Sequence, residues 1–285
     1  MYLNGVVLIS TILNWADQEF QVGNDLPYLI HLPSYAATAW YHRKLAPELQ
    51  AQPLRAVLDE VESFVWGEYA SALLQGDRLE PARRRAVAER VSRYAGVSVE
   101  FVERCRLRLE LFRYLKELLR AEGKTVGRLD SRFTGWDLDS AGESPEFDPS
   151  MAAVSIGYVA LFNDYVRREL GYESDLPYQP LARVWPWNWG DEASNAYLNV
   201  AETLRGAMTR NPHLRVLFQS GYYDFATPYF DTVYSVAHLG LPAELSGNVE
   251  TAFYEAGHMM YIRAVDHAKF KADLAGFIAR SVAKP

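Results

Sequence analysis

An aspartate and a histidine follow two consecutive strand-like runs near the C-terminal end of the chain. Asp224 comes after the apolar run 214–220, and His258 comes after the run 249–254. Because the carboxyl ends of neighbouring parallel strands meet at one edge of a sheet, we expect the two side chains to lie close together. A carboxylate that accepts the imidazole Nδ1–H fixes the histidine tautomer and stabilises the imidazolium, as in the acid–base half of a catalytic triad. The pattern therefore predicts nucleophilic acyl transfer, with Asp224 as the acid and His258 as the base.

The serine that would complete such a triad is missing from its usual motif. In this chain order it should come first, in a Gly-x-Ser-x-Gly turn between a strand and a helix, and residues 1–285 contain no such motif. The sequence GES at 142–144 looks similar, but Pro145 follows Ser144 and has no N–H to donate to an oxyanion. We therefore predict that Ser144 is not a nucleophile and that this chain alone shows no peptidase activity.

Each of these residues also has an ordinary structural interpretation. An aspartate at a strand end commonly binds its own turn, and an isolated histidine is more often structural than catalytic. The six histidines show no HExxH or CxxC spacing, so we predict neither a metal nor a cofactor. The tryptophans Trp185, Trp187 and Trp189 either line a substrate cleft or, more simply, pack under a long loop.

Composition excludes several classes of function. A chain of 285 residues with 49% apolar content is a folded protein with a sizeable core. Its net charge of −7 argues against a nucleic-acid surface, which needs a basic excess. The single cysteine, Cys105, excludes an intrachain disulfide and is expected in the core. No run is long enough for a membrane span, and the first residues do not resemble a signal peptide.

The elements that must position the pair are those of an α/β protein. Short branched apolar runs at 3–10, 214–220 and 249–254 predict parallel strands, and 124–149 reads as a long loop. Apolar residues at steps of three and four predict helices over 46–75, 81–96, 98–123, 151–170, 193–210 and 267–282. The third helix should bury Phe101, Cys105, Leu109, Phe112, Leu115 and Leu119. Three strands are few for such a sheet, so the core looks cut off on its N-terminal side.

Four segments give the chain a family resemblance. They are LNGVVLIS at 3–10, GRLDSRFTG at 127–135, SGYYDFATP at 220–228 and YEAGHMMY at 254–261. Together they resemble bacterial members of the serine carboxypeptidase family over the whole chain, and the last two are the most specific. The resemblance implies an α/β-hydrolase fold with a mostly helical lid, and release of C-terminal amino acids from a peptide substrate through an acyl-enzyme.

The same resemblance implies roles for particular residues. Asp224 matches the triad acid and His258 the triad base, while Met259 would border the pocket for the departing residue. Residues 1–20 and 191–285 would form the C-terminal part of the hydrolase core, and 21–190 the helical lid. An exported or periplasmic location is expected from the family.

The chain departs from the family in its nucleophile. The Gly-Glu-Ser-Tyr-Gly-Gly turn and an Asn-Gly loop lie, in the family, before the strand that matches 3–10. We therefore expect Met1 to be an internal methionine of a longer protein or a misassigned start, with an N-terminal segment as the missing partner. Two alternatives stay open: a non-catalytic binding protein that kept the lid, and another α/β-hydrolase such as an esterase or acyltransferase.

Overall fold

The computed structural model describes residues 2–180 and 186–283. Its strands are β1 (Gly5–Ile9), β2 (Lys124–Val126), β3 (Thr134–Trp136), β4 (Arg215–Gly221) and β5 (Val249–Tyr254). Its α-helices are α1 (Leu26–Tyr41), α2 (Pro47–Gln50), α3 (Leu54–Phe64), α4 (Ala70–Gln75), α5 (Pro81–Ala95), α6 (Val99–Arg104), α7 (Leu111–Glu117), α8 (Pro149–Arg168), α9 (Ala201–Arg210), α10 (Tyr229–Ala237), α11 (Ala243–Ser246) and α12 (Ala264–Val282).

The three predicted strands form one parallel sheet in the order β1-β4-β5. Their branched and aromatic residues suit buried parallel strands, and the central strand β4 is almost completely buried. The prediction of a mixed α/β chain, with a small parallel sheet and helical insertions, is confirmed. Among the described strands, β1 pairs only with β4, so its other edge is open and Ile9 is exposed.

The helical region between β1 and β4 shares its core with the residues that follow β4. Helix α1 packs against α3, α5 and α10. The rings of Tyr35 and Tyr114 stack with centroids 3.8 Å apart, and Phe225 meets both edge-on at 5.3 and 5.8 Å. Phe225 comes directly after Asp224, in the loop that follows β4, which we call the acid loop. The helical core therefore fixes the position of the acid loop.

Some predicted helix boundaries are confirmed and others are wrong. Pro81 begins α5, and Gly96 ends it in the left-handed conformation (φ 69°). The helix predicted over 98–123 is instead broken, because Arg106 and Leu107 have φ values of 52° and 69°. The break changes the helical phase, so Phe112, predicted to be buried, is 45% exposed.

Two further regions differ from the sequence-based prediction. The helix predicted over 46–75 is interrupted at Pro53, which precedes α3, and Val65–Tyr69 is a π-turn between α3 and α4. The loop predicted over 124–149 contains the antiparallel pair β2–β3.

In the part of the chain that the structure describes, no helix has the length and apolar character needed to cross a membrane.

Candidate active site

Asp224 lies in the loop after β4, and its carboxylate is completely buried. Oδ1 accepts hydrogen bonds from the backbone N–H of Ala226 at 2.8 Å and of Thr227 at 3.0 Å. Oδ2 accepts one from the Thr227 hydroxyl at 2.6 Å. Buried charges need such donors, and these bonds hold both oxygens in fixed directions. Asp224 thus stabilises its own turn, and Oδ2 can still accept a hydrogen bond from a second donor.

That second donor is His258, in the loop after β5. Its Nδ1 lies 2.9 Å from Asp224 Oδ2 and 3.3 Å from the Thr227 hydroxyl. Because the carboxylate only accepts, Nδ1 carries the proton and Nε2 is left as the basic nitrogen. Within the described residues Nε2 makes no hydrogen bond, and about a third of the side chain is exposed. The imidazole is therefore oriented from one side and open on the other.

The surroundings of His258 favour the protonated form of its imidazole. Burial is the largest single influence and lowers the pKa of His258, but the hydrogen bond and charge of Asp224 together exceed it. The pKa is therefore raised above its ordinary value of 6.5. The positive charge of Arg128 has a smaller, lowering effect on the same pKa. The extra stability from the ion pair is thus present below the unfolded pKa and is lost as pH rises through the folded one.

Two glycines allow the loops to come this close. A Cβ added at Gly221 would lie 2.2 Å from the carbonyl oxygen of Ala256. A Cβ added at Gly257 would lie 2.5 Å from the carbonyl oxygen of Leu129. Both contacts are to backbone, which cannot move aside as a flexible side chain can. Gly221, three residues before Asp224, and Gly257, directly before His258, are therefore required by packing.

Residues 127–135, which we call the clamp segment, hold both loops through main-chain hydrogen bonds. The N–H of Phe225 donates to the carbonyl of Arg128 at 3.0 Å, and the N–H of Ser131 donates to the carbonyl of Tyr223. The N–H of His258 donates to the carbonyl of Leu129 at 2.7 Å. The clamp segment thus fixes the residue after the acid and the histidine itself.

Side chains of the clamp segment add a second set of contacts. Asp130 Oδ2 accepts from the N–H of Gly257 at 3.2 Å and pairs with Arg132 at 2.6 Å. Arg132 also donates to the carbonyl of Glu255 at 2.6 Å. Asp148 binds the N–H groups of Arg128 and Leu129 and caps the start of α8. The pair is therefore tied to both the helical region and the sheet.

Ser10, directly after β1, is the serine that the structure brings to this loop. It has a φ of 47°, and its hydroxyl donates to the backbone carbonyl of His258 at 2.7 Å. This bond is to the main chain, so the hydroxyl is not directed at Nε2. Ser10 positions the histidine loop against β1. Ser144, whose local sequence resembles the nucleophile motif, is exposed. Its carbonyl oxygen accepts a hydrogen bond from Lys116.

His31 in α1 lies behind the acid loop as a second, fully buried histidine. Its Nδ1 donates to the carbonyl of Pro27 at 2.8 Å, and its Nε2 has no hydrogen-bond partner among the described residues. Burial lowers the pKa of His31 to about 4, which the backbone oxygens of Pro27 and Phe225 only partly oppose. The ring is therefore neutral at physiological pH.

The remaining predicted residues are placed as follows. Met259 follows His258, is half-buried and begins the 3₁₀ turn Met260–Ile262, and its role stays a prediction. Trp189 stacks with Trp187 and packs against Trp15 after β1, while Trp185 lies outside the described residues. Over residues 2–180 and 186–283, no group of three or more His, Cys, Asp or Glu is placed to hold a metal.

A well-formed cavity in the described part of the chain lies away from the pair. A cavity of about 700 Å³ lies beside Phe20, Tyr28, Arg108 and Ser144, and its lining includes neither Asp224 nor His258. We place the candidate site at the pair, because chemistry needs an oriented base, which that cavity does not contain.

Comparisons with known proteins do not assign the chain to a family. No protein-family model matches it, and no curated protein or solved structure gives a match. The functional assignment therefore depends on the site itself and on the motifs that carry the resemblance.

Sequence reasoning did not identify the residues that position the pair. They include Ser10, Asp130, Arg132 and Thr227, whose hydrogen bonds to distant parts of the chain follow no local sequence pattern. The sequence did contain one indication of these contacts. The clamp segment is one of the four segments that carry the family resemblance, but the resemblance assigned no role to it.

Proposed function

We propose that Asp224 and His258 are the acid and base of a serine-type peptidase that removes C-terminal amino acids from peptides. The observation that carries the proposal is the 2.9 Å contact between His258 Nδ1 and Asp224 Oδ2, with Nε2 unbound among the described residues. Two further features support it. The pair lies at the ends of adjacent parallel strands, and the family-like clamp segment contacts both loops.

In the proposed reaction His258 acts as base and then as acid. Nε2 takes the proton of the attacking serine hydroxyl, and the positive ring is stabilised by the buried carboxylate of Asp224. The serine oxygen bonds to the scissile carbonyl carbon, the peptide carbon–nitrogen bond breaks, and Nε2 gives the proton to the leaving amine. Water then cleaves the acyl-enzyme by the same route. Asp224 keeps its negative charge throughout.

The proposal requires a serine from outside residues 1–285. Gly-x-Ser-x-Gly does not occur in the chain, and the hydroxyl of Ser10 is bonded to the carbonyl of His258. We propose that a preceding segment supplies it beside β1, because the family's nucleophile turn precedes the strand that matches β1. Among the described strands, one edge of β1 has no partner and offers backbone groups for such a strand.

The test begins with the reading frame upstream of the Met1 codon. We expect an open frame that encodes Gly-Glu-Ser-x-Gly, and we expect its full product to release leucine from a blocked Phe-Leu dipeptide but not from the dipeptide amide. Asp224→Asn and His258→Gln should each lower kcat about a thousandfold or more. The matched controls Asp175→Asn and His267→Gln, at exposed positions, should leave it unchanged.

Two results would contradict the proposal. One is an in-frame stop directly upstream, in which case a monodisperse, cooperatively melting chain would support a non-catalytic binding protein. The other is hydrolysis that persists in His258→Gln. Equal hydrolysis of esters without release of C-terminal residues would instead support an esterase or acyltransferase.

A further inference from the structure

Arg128 lies in the clamp segment where its backbone contacts reach both halves of the pair. Its carbonyl accepts the N–H of Phe225, the residue after Asp224, at 3.0 Å. The carbonyl of the next residue, Leu129, accepts the N–H of His258 at 2.7 Å. The backbone of Arg128 is therefore held between the acid loop and the histidine loop.

The side chain of Arg128 is unpaired within residues 2–180 and 186–283. It makes no salt bridge and no hydrogen bond there, although the residue is only partly exposed. The nearby carboxylate of Asp148 binds the backbone N–H of Arg128 and its own helix start instead. Arg132, four residues on, is paired with Asp130. A partly buried guanidinium without a partner is unusual, since desolvation of a charge is unfavourable unless an anion compensates it.

The charge of Arg128 acts on the site. It lowers the pKa of both His258 and His31, although burial is the largest influence on each. The chain has a net charge of −7, and Arg128 places a cation that is unpaired among the described residues on the segment that holds the loop of His258. A guanidinium presents parallel N–H donors that match a carboxylate in a bidentate pair.

We propose that Arg128 binds the free α-carboxylate of a peptide substrate and so restricts the site to C-terminal residues. This inference rests on the proposed function, because the position of a carboxylate matters only if His258 acts on the neighbouring peptide bond. Arg128 would contact the substrate and take no part in proton transfer. An anion bound there would neutralise its effect on His258.

The test uses the chain of residues 1–285 and needs no hydrolysis. The His258 ring is followed by NMR over a pH series at low salt, with N-acetyl-L-phenylalanine or its uncharged amide as probes. We expect the acid to raise the pKa of His258 and the amide to leave it unchanged. Arg128→Gln should by itself raise that pKa and should weaken binding of the acid about tenfold or more.

Two matched variants complete the experiment. Arg128→Lys keeps the charge but loses the bidentate geometry, so it should give intermediate binding. Arg167→Gln removes an exposed arginine of α8 and should behave as the wild type. Melting curves of all variants verify that each is folded.

The inference is overturned if acid and amide act alike, or if Arg128→Gln retains the response to the acid. Hydrolysis by the longer protein together with either result would refute the role of Arg128 alone. Carboxylate binding through Arg128 without any hydrolysis would instead refute the proposed function alone.

Discussion

Acidification should destabilise the folded chain through His31, the buried histidine behind the acid loop. Its pKa is about 4 in the folded protein against an ordinary 6.5. The unfolded chain therefore binds a proton at a pH where the folded chain does not. The stability that depends on the neutral ring is present above the unfolded pKa and is lost as pH falls toward the folded one.

The size of this effect follows from the difference of the two pKa values. The whole difference between the folded and unfolded pKa values corresponds to about 3 kcal/mol of unfolding free energy. Between about pH 7 and about pH 4.5, the free energy of unfolding should fall by about 2 kcal/mol because of His31. Phe20 and Tyr35 pack their rings on the imidazole, so protonation cannot be relieved by exposure without opening the helical core.

Urea unfolding of the wild type and of His31→Phe at both pH values measures this contribution. The pH dependence of all other groups is common to the two proteins, so the difference between their pH-induced losses isolates His31. His31→Gln provides a second chain without the titrating ring and should show the same flattened response. Equal losses in all three proteins would refute the assignment of a neutral, buried His31.

Three further outcomes are expected around the pair. Gly257→Ala should destabilise the protein by about 1–3 kcal/mol in thermal or urea unfolding, since its Cβ would overlap the carbonyl of Leu129; an unchanged stability would contradict the close approach. Asp224→Asn should lower the pKa of His258 in an NMR titration, because burial then acts without the opposing carboxylate; an unaltered titration would mean that the two side chains are apart in solution. Ser10→Ala should cost about 1 kcal/mol in urea unfolding through its lost bond to the carbonyl of His258, and a neutral result would argue against that bond.

The sheet and the two central residues were readable from the sequence because each leaves a local signal. Apolar branched runs identify β4 and β5 within a residue of their ends. The parallel pairing of such strands brings their carboxyl ends together, which is why Asp224 and His258 could be placed side by side.

The break in the predicted third helix left no comparable signal. Glycine usually marks a left-handed residue, but here Arg106 and Leu107 adopt positive φ. Tertiary burial compensates: Leu107 and Leu109 are both buried within the turn. Local periodicity reports the helical preference of 98–123, and it cannot report a core that is better filled by bending the chain.

The contacts that hold the site together could not be predicted from the sequence for a different reason. The clamp segment acts through main-chain carbonyls, which every residue possesses, so the identity of its side chains does not reveal the contact. Arg128 likewise appears in the sequence as one arginine among many. Only its position between two distant loops distinguishes it.

Because the clamp segment acts through main-chain hydrogen bonds to two loops, these contacts should form and open together. Asp130 and Gly257 are 127 residues apart, so the contact closes only after the helical region and the sheet have met. The amides of Phe225, Ser131 and His258 all depend on that closure. They should exchange with deuterium as one cooperative unit. The contact between Asp224 and His258 would then be lost in a single step, before global unfolding, whenever that unit detaches.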